Sequence, residues 1–139
     1  MLNILRLSDY AVLILIHLAQ EPERPRSAAT LAQEIALPLT TIRKVLRILA
    51  QNGIVRARKG VLGGSILAFP AEGISLAQVL IAMEDPVLLT PCCQADFRCT
   101  LDTICRSRTH WMRINRSIRA VLEETTLADM VTQPDKEKR

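Results

Sequence analysis

The 139-residue sequence has no apolar run long enough to cross a membrane and few of the groups on which enzymes rely. The apolar stretch YAVLILIHLA covers only residues 10–19 and lacks a small-residue cleavage site, so neither a membrane span nor a signal peptide is favoured. The two histidines are His17 and His110, and there is no glycine-rich phosphate loop or nucleophile elbow. We therefore expect a cytoplasmic protein that is not an enzyme and has no small-molecule substrate. The enzymatic alternative would pair a cysteine nucleophile with one of these histidines.

The charge balance is compatible with a polyanionic partner. Eighteen Lys and Arg residues against 14 Asp and Glu residues give a formal charge of +4, and the pI is about 9.2. A hydrophobic content of 49% can supply the core of one compact domain. The placement of the cations along the chain is therefore more informative than their sum.

Residues 1–85 show the pattern of a DNA-binding domain. Apolar residues at helical spacing predict three helices, with Ser8 and Ser27 as N-caps of the first two and Asn52 before the glycine that ends the third. The second and third helices are separated by a short turn, which is typical of a helix-turn-helix. The third helix carries hydroxyls and cations that would enter the DNA major groove: Thr40, Thr41, Arg43, Lys44 and Arg47. A solvated basic helix face is the alternative interpretation.

The next segment predicts a basic hairpin. Residues 54–57 and 66–69 have the composition of short strands, and RKGVLGGS lies between them. The cations at the tip, Arg58 and Lys59, would reach phosphates or the minor groove. The glycines would allow positive φ angles and close backbone approach: Gly60, Gly63 and Gly64. Helix-turn-helix followed by this wing predicts a mainly α (α+β) winged helix-turn-helix fold that binds double-stranded DNA.

The C-terminal part predicts a dimerisation element. After a fourth helix capped by Ser75, residues 86–108 form a loop with prolines and no apolar period. Residues 109–131 then predict a long helix with arginines opposite an apolar stripe: Trp111, Ile114, Ile118, Val121 and Leu122. Little else in the chain could cover this stripe, so we expect a homodimer with a C-terminal dimerisation helix. Residues 132–139 are expected to be a polar tail.

All four cysteines fall within this loop, at positions 92, 93, 99 and 105. The spacing C-x5-C-x5-C does not match the C-x2-4-C pairs of zinc sites, whereas three thiolates and one other ligand suit an iron-sulfur cluster. Cys92 is the spare thiol, because adjacent residues seldom both reach one cluster. A disulfide redox switch, with thiolates favoured by nearby arginines, is an alternative. Buried thiols that pack as hydrophobes are another, but they would not explain the absence of cysteine elsewhere.

Six segments together resemble a known family of winged-helix iron-sulfur-dependent regulators. They are LRLSDYAVLIL, LAQEIALPLTTIRKVLRILAQNGIV, RKGVLGGSILAFP, ISLAQVLIAMED, the C-x5-C-x5-C loop and INRSIRAVLEETTLADM. This family includes IscR, the nitric-oxide sensor NsrR and the regulator of SUF iron-sulfur assembly genes, and the resemblance extends from residue 1 to about residue 131. It is greatest to the SUF-type branch, in SDYAVLIL, ERPRSAATLA and the C-terminal motif.

The resemblance implies a bacterial, homodimeric transcription factor, expected to be a repressor of iron-sulfur assembly genes. Nitric-oxide sensing of the NsrR type is the alternative signal. A two-iron (2Fe-2S) or four-iron (4Fe-4S) cluster would be held by Cys93, Cys99 and Cys105. IscR-like members have a histidine where this chain has Arg108, which stays protonated and cannot ligate.

The fourth ligand expected from the resemblance is Asp9 of the partner subunit, which stands where NsrR-like members have an acidic ligand. The second choice is His110, which lies close to the third cysteine in sequence. The wing departs from many relatives, with Ser65 and Phe69 where an aromatic and a basic residue are usual. No operator sequence is therefore carried over.

Overall fold

A computed structural model describes residues 4–84 and 87–132. Residues 133–139 of the predicted tail and the predicted boundary at 85–86 lie outside the described residues. The elements follow one another as helices α1 to α3, a two-stranded hairpin and helices α4 to α6, with short 3₁₀ turns at Ala71–Gly73 and Pro91–Cys93. Their bounds are α1 Arg6–Gln20, α2 Ala28–Ile35, α3 Leu39–Gln51, β1 Val55–Arg58, β2 Gly64–Leu67, α4 Leu76–Met83, α5 Arg108–Glu124 and α6 Leu127–Val131.

Helix α1 lies in the middle of the core and packs against α3, α4 and α6. Its apolar residues are buried together with those of the neighbouring helices: Leu15, Leu18, Leu31, Ile42, Leu49, Val79 and Leu127. The predicted inward face of α3 is confirmed, because each of its four apolar positions is buried. The arrangement confirms the winged helix-turn-helix fold. No helix in the described ranges is both long and apolar enough to cross a membrane.

The helix N-termini use both local and distant caps. Ser27 and Ser75 accept hydrogen bonds from backbone N–H groups of α2 and α4, as predicted. The prediction that Ser8 caps α1 is wrong. The helix begins after Leu5, and the buried Ser8 hydroxyl donates to the Glu84 carboxylate, which also accepts from the Leu5 N–H at 2.9 Å. A carboxylate far away in sequence therefore satisfies this helix N-terminus.

The wing is an antiparallel pair in which Val55 lies opposite Leu67, and Arg58 opposite Gly64. The second strand begins two residues earlier than predicted and ends before Ala68. The reason is a second partner, because Ser65 exchanges two backbone hydrogen bonds with Arg26, at 2.9 and 3.1 Å. This bridge extends the pairing into residues that carry no apolar strand signal.

Arg26 is the buried polar anchor beneath the wing, with a relative exposure of 4%. Its guanidinium donates to the His17 carbonyl at 3.0 Å and to the Glu34 carboxylate at 3.2 Å, and it pairs with Glu21 at 3.2 Å. Glu34 also contacts His17 Nε2 at 2.9 Å. The side chain of Arg26 therefore joins α1 to α2, while its backbone joins both to β2.

The predicted continuous helix 109–131 is two helices. The break lies at Thr126, which caps α6 in a reciprocal capping box with Asp129. The Leu76 N–H donates to the Thr125 carbonyl at 2.8 Å, and the Leu127 N–H donates to the Ile74 carbonyl at 2.9 Å. Helix α6 consequently returns to the core.

Replacing Arg26 with Leu should destabilise the domain by about 2 kcal/mol, because it leaves two carboxylates without their buried partner. Those carboxylates are partly exposed, which keeps the effect below that of a fully buried pair. The matched control is Arg24→Leu, whose surface pair with Glu21 should contribute less than about 0.5 kcal/mol. Urea unfolding at neutral pH measures both variants. Equal midpoints for the two would contradict the anchoring role of Arg26.

Candidate functional site

The exposed face of α3 presents the predicted DNA contacts. The side chains of Thr40, Arg43, Lys44 and Arg47 face solvent, and Thr41 is half-buried. None of the ion pairs found in the described ranges involves the three cations of this face. They are thus available for phosphates and base edges.

The wing glycines have different roles. Gly60 has a φ of 130°, which L residues with side chains rarely adopt. A Cβ on Gly63 would collide with the Arg58 carbonyl oxygen, and a Cβ on Gly64 would collide with the backbone of Arg26. The turn therefore depends on positive φ at Gly60 and on close backbone approach at the other two.

The two predicted wing cations differ in availability. Arg58 donates to the Glu23 carbonyl at 3.0 Å and lies 3.9 Å from its carboxylate. Lys59 is exposed, and the described contacts include no ion pair for it. Lys59 is therefore the freer phosphate contact, while Arg58 links the wing to the segment between α1 and α2.

The first two cysteines lie against α5. Cys93 ends a 3₁₀ turn and borders a cleft of about 350 Å³ that Met112, Asn115 and Arg116 also line. The Thr90 hydroxyl is 3.0 Å from Cys92 Sγ and 3.3 Å from Cys93 Sγ. This end of the cysteine segment, residues 87–107, is thus held on α5.

The other two cysteines lie on the exposed part of the segment. Cys99 Sγ accepts a hydrogen bond from the Leu101 N–H at 3.4 Å. The Ser107 hydroxyl, 3.4 Å from Cys105 Sγ, and the backbone N–H groups of Ser107 and Arg108 lower the pKa of the Cys105 thiol. Arg108 also pairs with Asp102 at 2.7 Å, which closes the base of the segment. These hydrogen bonds therefore stabilise the thiolate form of Cys105 relative to an ordinary cysteine.

The predicted cluster ligands are not brought together. All four cysteines are free and half-buried, and within the described ranges no three Cys, His, Asp or Glu side chains are grouped so that they could hold a metal. Asp9 is exposed in the first turn of α1, and His110 is exposed in the first turn of α5. The donor chemistry fits an iron-sulfur cluster, because three unpaired thiols share one exposed segment. Convergence on a cluster requires residues 94–106 to rearrange.

Helix α5 leaves most of its apolar stripe uncovered within the chain, although Ile118 and Leu122 are half-buried. Trp111, Ile114 and Val121 are exposed, with relative exposures of 41%, 40% and 61%. Asn115, which sequence analysis missed, is the buried residue of this helix, and its Oδ1 accepts from the Leu89 N–H at 3.0 Å. The available signal was the single amide side chain in WMRINRSI, beside the apolar stripe. Asn115 therefore fastens the start of the cysteine segment to α5.

Comparisons with known proteins agree with this architecture. A family model described as "Rrf2: Iron-dependent Transcriptional regulator" matches residues 4–133. Protein rrf2 from Nitratidesulfovibrio vulgaris is 28% identical over 89% of this chain and 83% of its own length. The transcriptional regulator IscR of Yersinia pestis is 27% identical over 91% of this chain and 77% of its own length. The structure of CymR, the global cysteine regulator of B. subtilis, superposes with a TM-score of 0.79 and 26% identity, covering 97% of this chain and 100% of CymR.

Proposed function

Because the chain belongs to the Rrf2 family of winged-helix transcriptional regulators, we propose that it is a homodimeric repressor whose DNA binding depends on an iron-sulfur cluster. The observation that carries the proposal is the placement of all four thiols on one segment between the DNA-binding domain and an uncovered helix. Members of this family bind DNA.

The DNA contacts in this proposal come from α3 and the wing. The unpaired cations Arg43, Lys44 and Arg47 face the major groove, and Thr40 approaches its edges from the N-terminal turn of the helix. Lys59 contacts phosphate beside the adjacent groove. Phosphate contacts position the protein, while the side chains of α3 that reach base edges select the sequence.

The dimer interface in this proposal is the apolar stripe of α5. The exposure of three large apolar side chains on one helix face to water is unfavourable, and the same face of a second copy would cover them. The stripe is flanked by arginines, one of which pairs with a carboxylate on its own helix, Arg119 with Glu123 at 3.5 Å. A two-fold symmetric helix pair buries the apolar residues and leaves these charges at the rim.

The cluster ligands in this proposal are Cys93, Cys99 and Cys105. An iron-sulfur cluster supplies a redox-active, oxidant-sensitive group whose ligation orders the segment that holds it. Cys93 already rests against α5, and the Cys105 thiolate is favoured by its hydrogen bonds. Asp9 of the partner subunit is the fourth ligand, with His110 second. Both are exposed on the first turns of helices.

The coupling of the segment to DNA runs through α5. Asn115 binds the backbone of Leu89 at 3.0 Å, so a change in the order of the segment acts on the helix that sets the dimer geometry. The dimer geometry in turn sets the spacing of the two recognition helices. Ligation must favour one dimer geometry for this coupling to work. Because the chain resembles the SUF-type branch, the genes that it regulates in this proposal are those of iron-sulfur assembly.

A second candidate is a cluster-free thiol switch. It is supported by the four free thiols on one segment and by the likeness to CymR, the global cysteine regulator of B. subtilis. Cys92 and Cys93 share the Thr90 hydroxyl and would be the first pair to test for oxidation. Nitric-oxide sensing remains the alternative signal for a cluster-bearing protein.

Cysteine variants purified without oxygen test the cluster. Replacing Cys93, Cys99 or Cys105 with Ser should abolish visible absorption, bound iron and acid-labile sulfide, because each removes a thiolate ligand. The matched control is Cys92→Ser, which should keep all three. A wild-type protein that stays colourless after anaerobic reconstitution, or a Cys92 variant as depleted as the Cys99 variant, would contradict the assignment.

The same assays separate the fourth-ligand candidates. Asp9→Ala should lower cluster content and change the absorption, whereas His110→Ala should leave both unchanged. The opposite result would assign His110 and remove the partner's carboxylate from the site.

Val121→Glu should dissociate the dimer, because it places a charge in the centre of an apolar interface. We expect the dissociation constant to rise about tenfold or more. The matched control is Val61→Glu, the same change at an exposed valine on the wing, far from α5 in the fold. Light scattering during size-exclusion chromatography measures both. A wild-type monomer, or equal masses for the two variants, would contradict the proposed interface.

A further inference from the structure

The tip of the wing is a tight turn with two aliphatic corner residues. The Gly63 N–H donates to the Gly60 carbonyl at 2.9 Å, so Val61 and Leu62 occupy the central positions of a β-turn. This turn shape requires glycine at both ends, because Gly60 has a positive φ and a Cβ on Gly63 would collide with the backbone of Arg58 and Gly60. Val61 and Leu62 are therefore held at the outermost point of the hairpin.

These side chains are the most exposed large apolar groups in the described part of the chain, with relative exposures of 105% and 88%. The corners of such turns are usually Gly, Pro, Asn, Asp or Ser, and a β-branched residue gains nothing there. The stability of the turn thus does not explain why valine and leucine occupy its two corners. A cleft of about 710 Å³ separates the tip from residues 21–27, which do not cover it.

The hairpin is long enough to reach the groove beside the one that α3 enters. Val55 and Leu67 form its buried base, and β1 begins shortly after α3 ends. At about 3.3 Å per residue, a four-residue strand and its turn carry the tip about 15 Å from that base. Neighbouring grooves are separated by about half of the roughly 34 Å helical repeat. With α3 in the major groove, the tip therefore lies over the adjacent minor groove.

The charges around the tip suit the same partner. Arg56 and Lys59 are exposed on the hairpin and complement the phosphates that border a minor groove. The carboxylates on the facing segment are already paired, Glu23 with Arg58 and Glu21 with Arg24 and Arg26. Glu23 therefore offsets one wing cation, Arg58, whereas no ion pair in the described part of the chain involves Arg56 or Lys59.

We infer that Leu62, supported by Val61, acts as an apolar wedge in the DNA minor groove. This inference rests on the proposed DNA-binding function and adds a residue that selects the operator by its deformability. Apolar side chains that enter the minor groove part a base step and bend the duplex, and the cost depends on the step that is opened. Leu62 therefore discriminates between sequences without a hydrogen bond to any base.

The test uses a 30-base-pair duplex selected by the wild-type protein from a random-sequence pool. End labels report bending by energy transfer, and 2-aminopurine beneath the wing reports unstacking. Leu62→Ser should weaken binding about tenfold and remove the bend and the 2-aminopurine signal. Leu62→Met, which keeps an apolar side chain, should bind within about twofold of wild type. The slope of log affinity against log salt should be unchanged in both, because no phosphate contact is lost.

Two cation variants serve as controls. Lys59→Gln and Arg47→Gln should each weaken binding and reduce the salt slope by about 1. If the wild-type protein selects no duplex, both the proposed function and the wedge are overturned. If the wild type binds but Leu62→Ser matches it in affinity and bend, the wedge alone is overturned. A Leu62→Ser variant that loses self-association while binding duplex normally would assign the tip to a second copy of the chain and also overturn the wedge.

Discussion

The architecture depends on a short backbone bridge between the start of α4 and the junction of α5 with α6. Ser75 lies opposite Thr126, two backbone hydrogen bonds of 2.8 and 2.9 Å flank the pair, and Leu127 is fully buried in the core beside α1. The bridge fixes the C-terminal end of α5, a helix that also packs against α4. With it, the helix that carries the apolar stripe has a defined orientation relative to α3. In the proposed dimer, a change at the cysteine segment would therefore alter how the two recognition helices meet DNA.

Local sequence signals predicted the parts of the fold whose partners are close in sequence. The apolar period of α3 and the capping serines of α2 and α4 were correct because helix geometry and caps involve residues within one turn. The interpretation of Ser8 as a cap was wrong because its partner, Glu84, is distant along the chain. Arg26 lies in a segment that the sequence predicts to be a polar turn, and its burial depends on three groups from α1, α2 and the intervening loop. The T-x-x-D cap at Thr126 was readable in the sequence, but the apolar period on either side concealed it.

Only some features of the candidate site could likewise be predicted from the sequence. The cations of α3 and the wing glycines were predictable, because each follows from a helix face or a tight turn. Sequence spacing showed which thiols share a segment, but it does not determine where their sulfur atoms point. That geometry depends on the groups that hold the segment, such as Asn115 on Leu89 and Arg108 on Asp102, and on any bound cluster. The exposure of Leu62 was also not predicted, because the sequence of a hairpin does not show whether an aliphatic residue in it is buried or exposed.

The central claim is that the state of the cysteine segment controls DNA affinity. The most direct measurement is an anaerobic titration of one labelled operator duplex with two preparations of the same protein, one with its cluster quantified and one with the cluster removed by chelation. The salt concentration must be identical, because phosphate contacts make the affinity depend strongly on it. The two affinities should differ by about fivefold or more, the usual lower range of coupling between sites. Equal affinities, with cluster occupancy verified in one preparation and its absence in the other, would show that the cysteine segment does not control DNA binding.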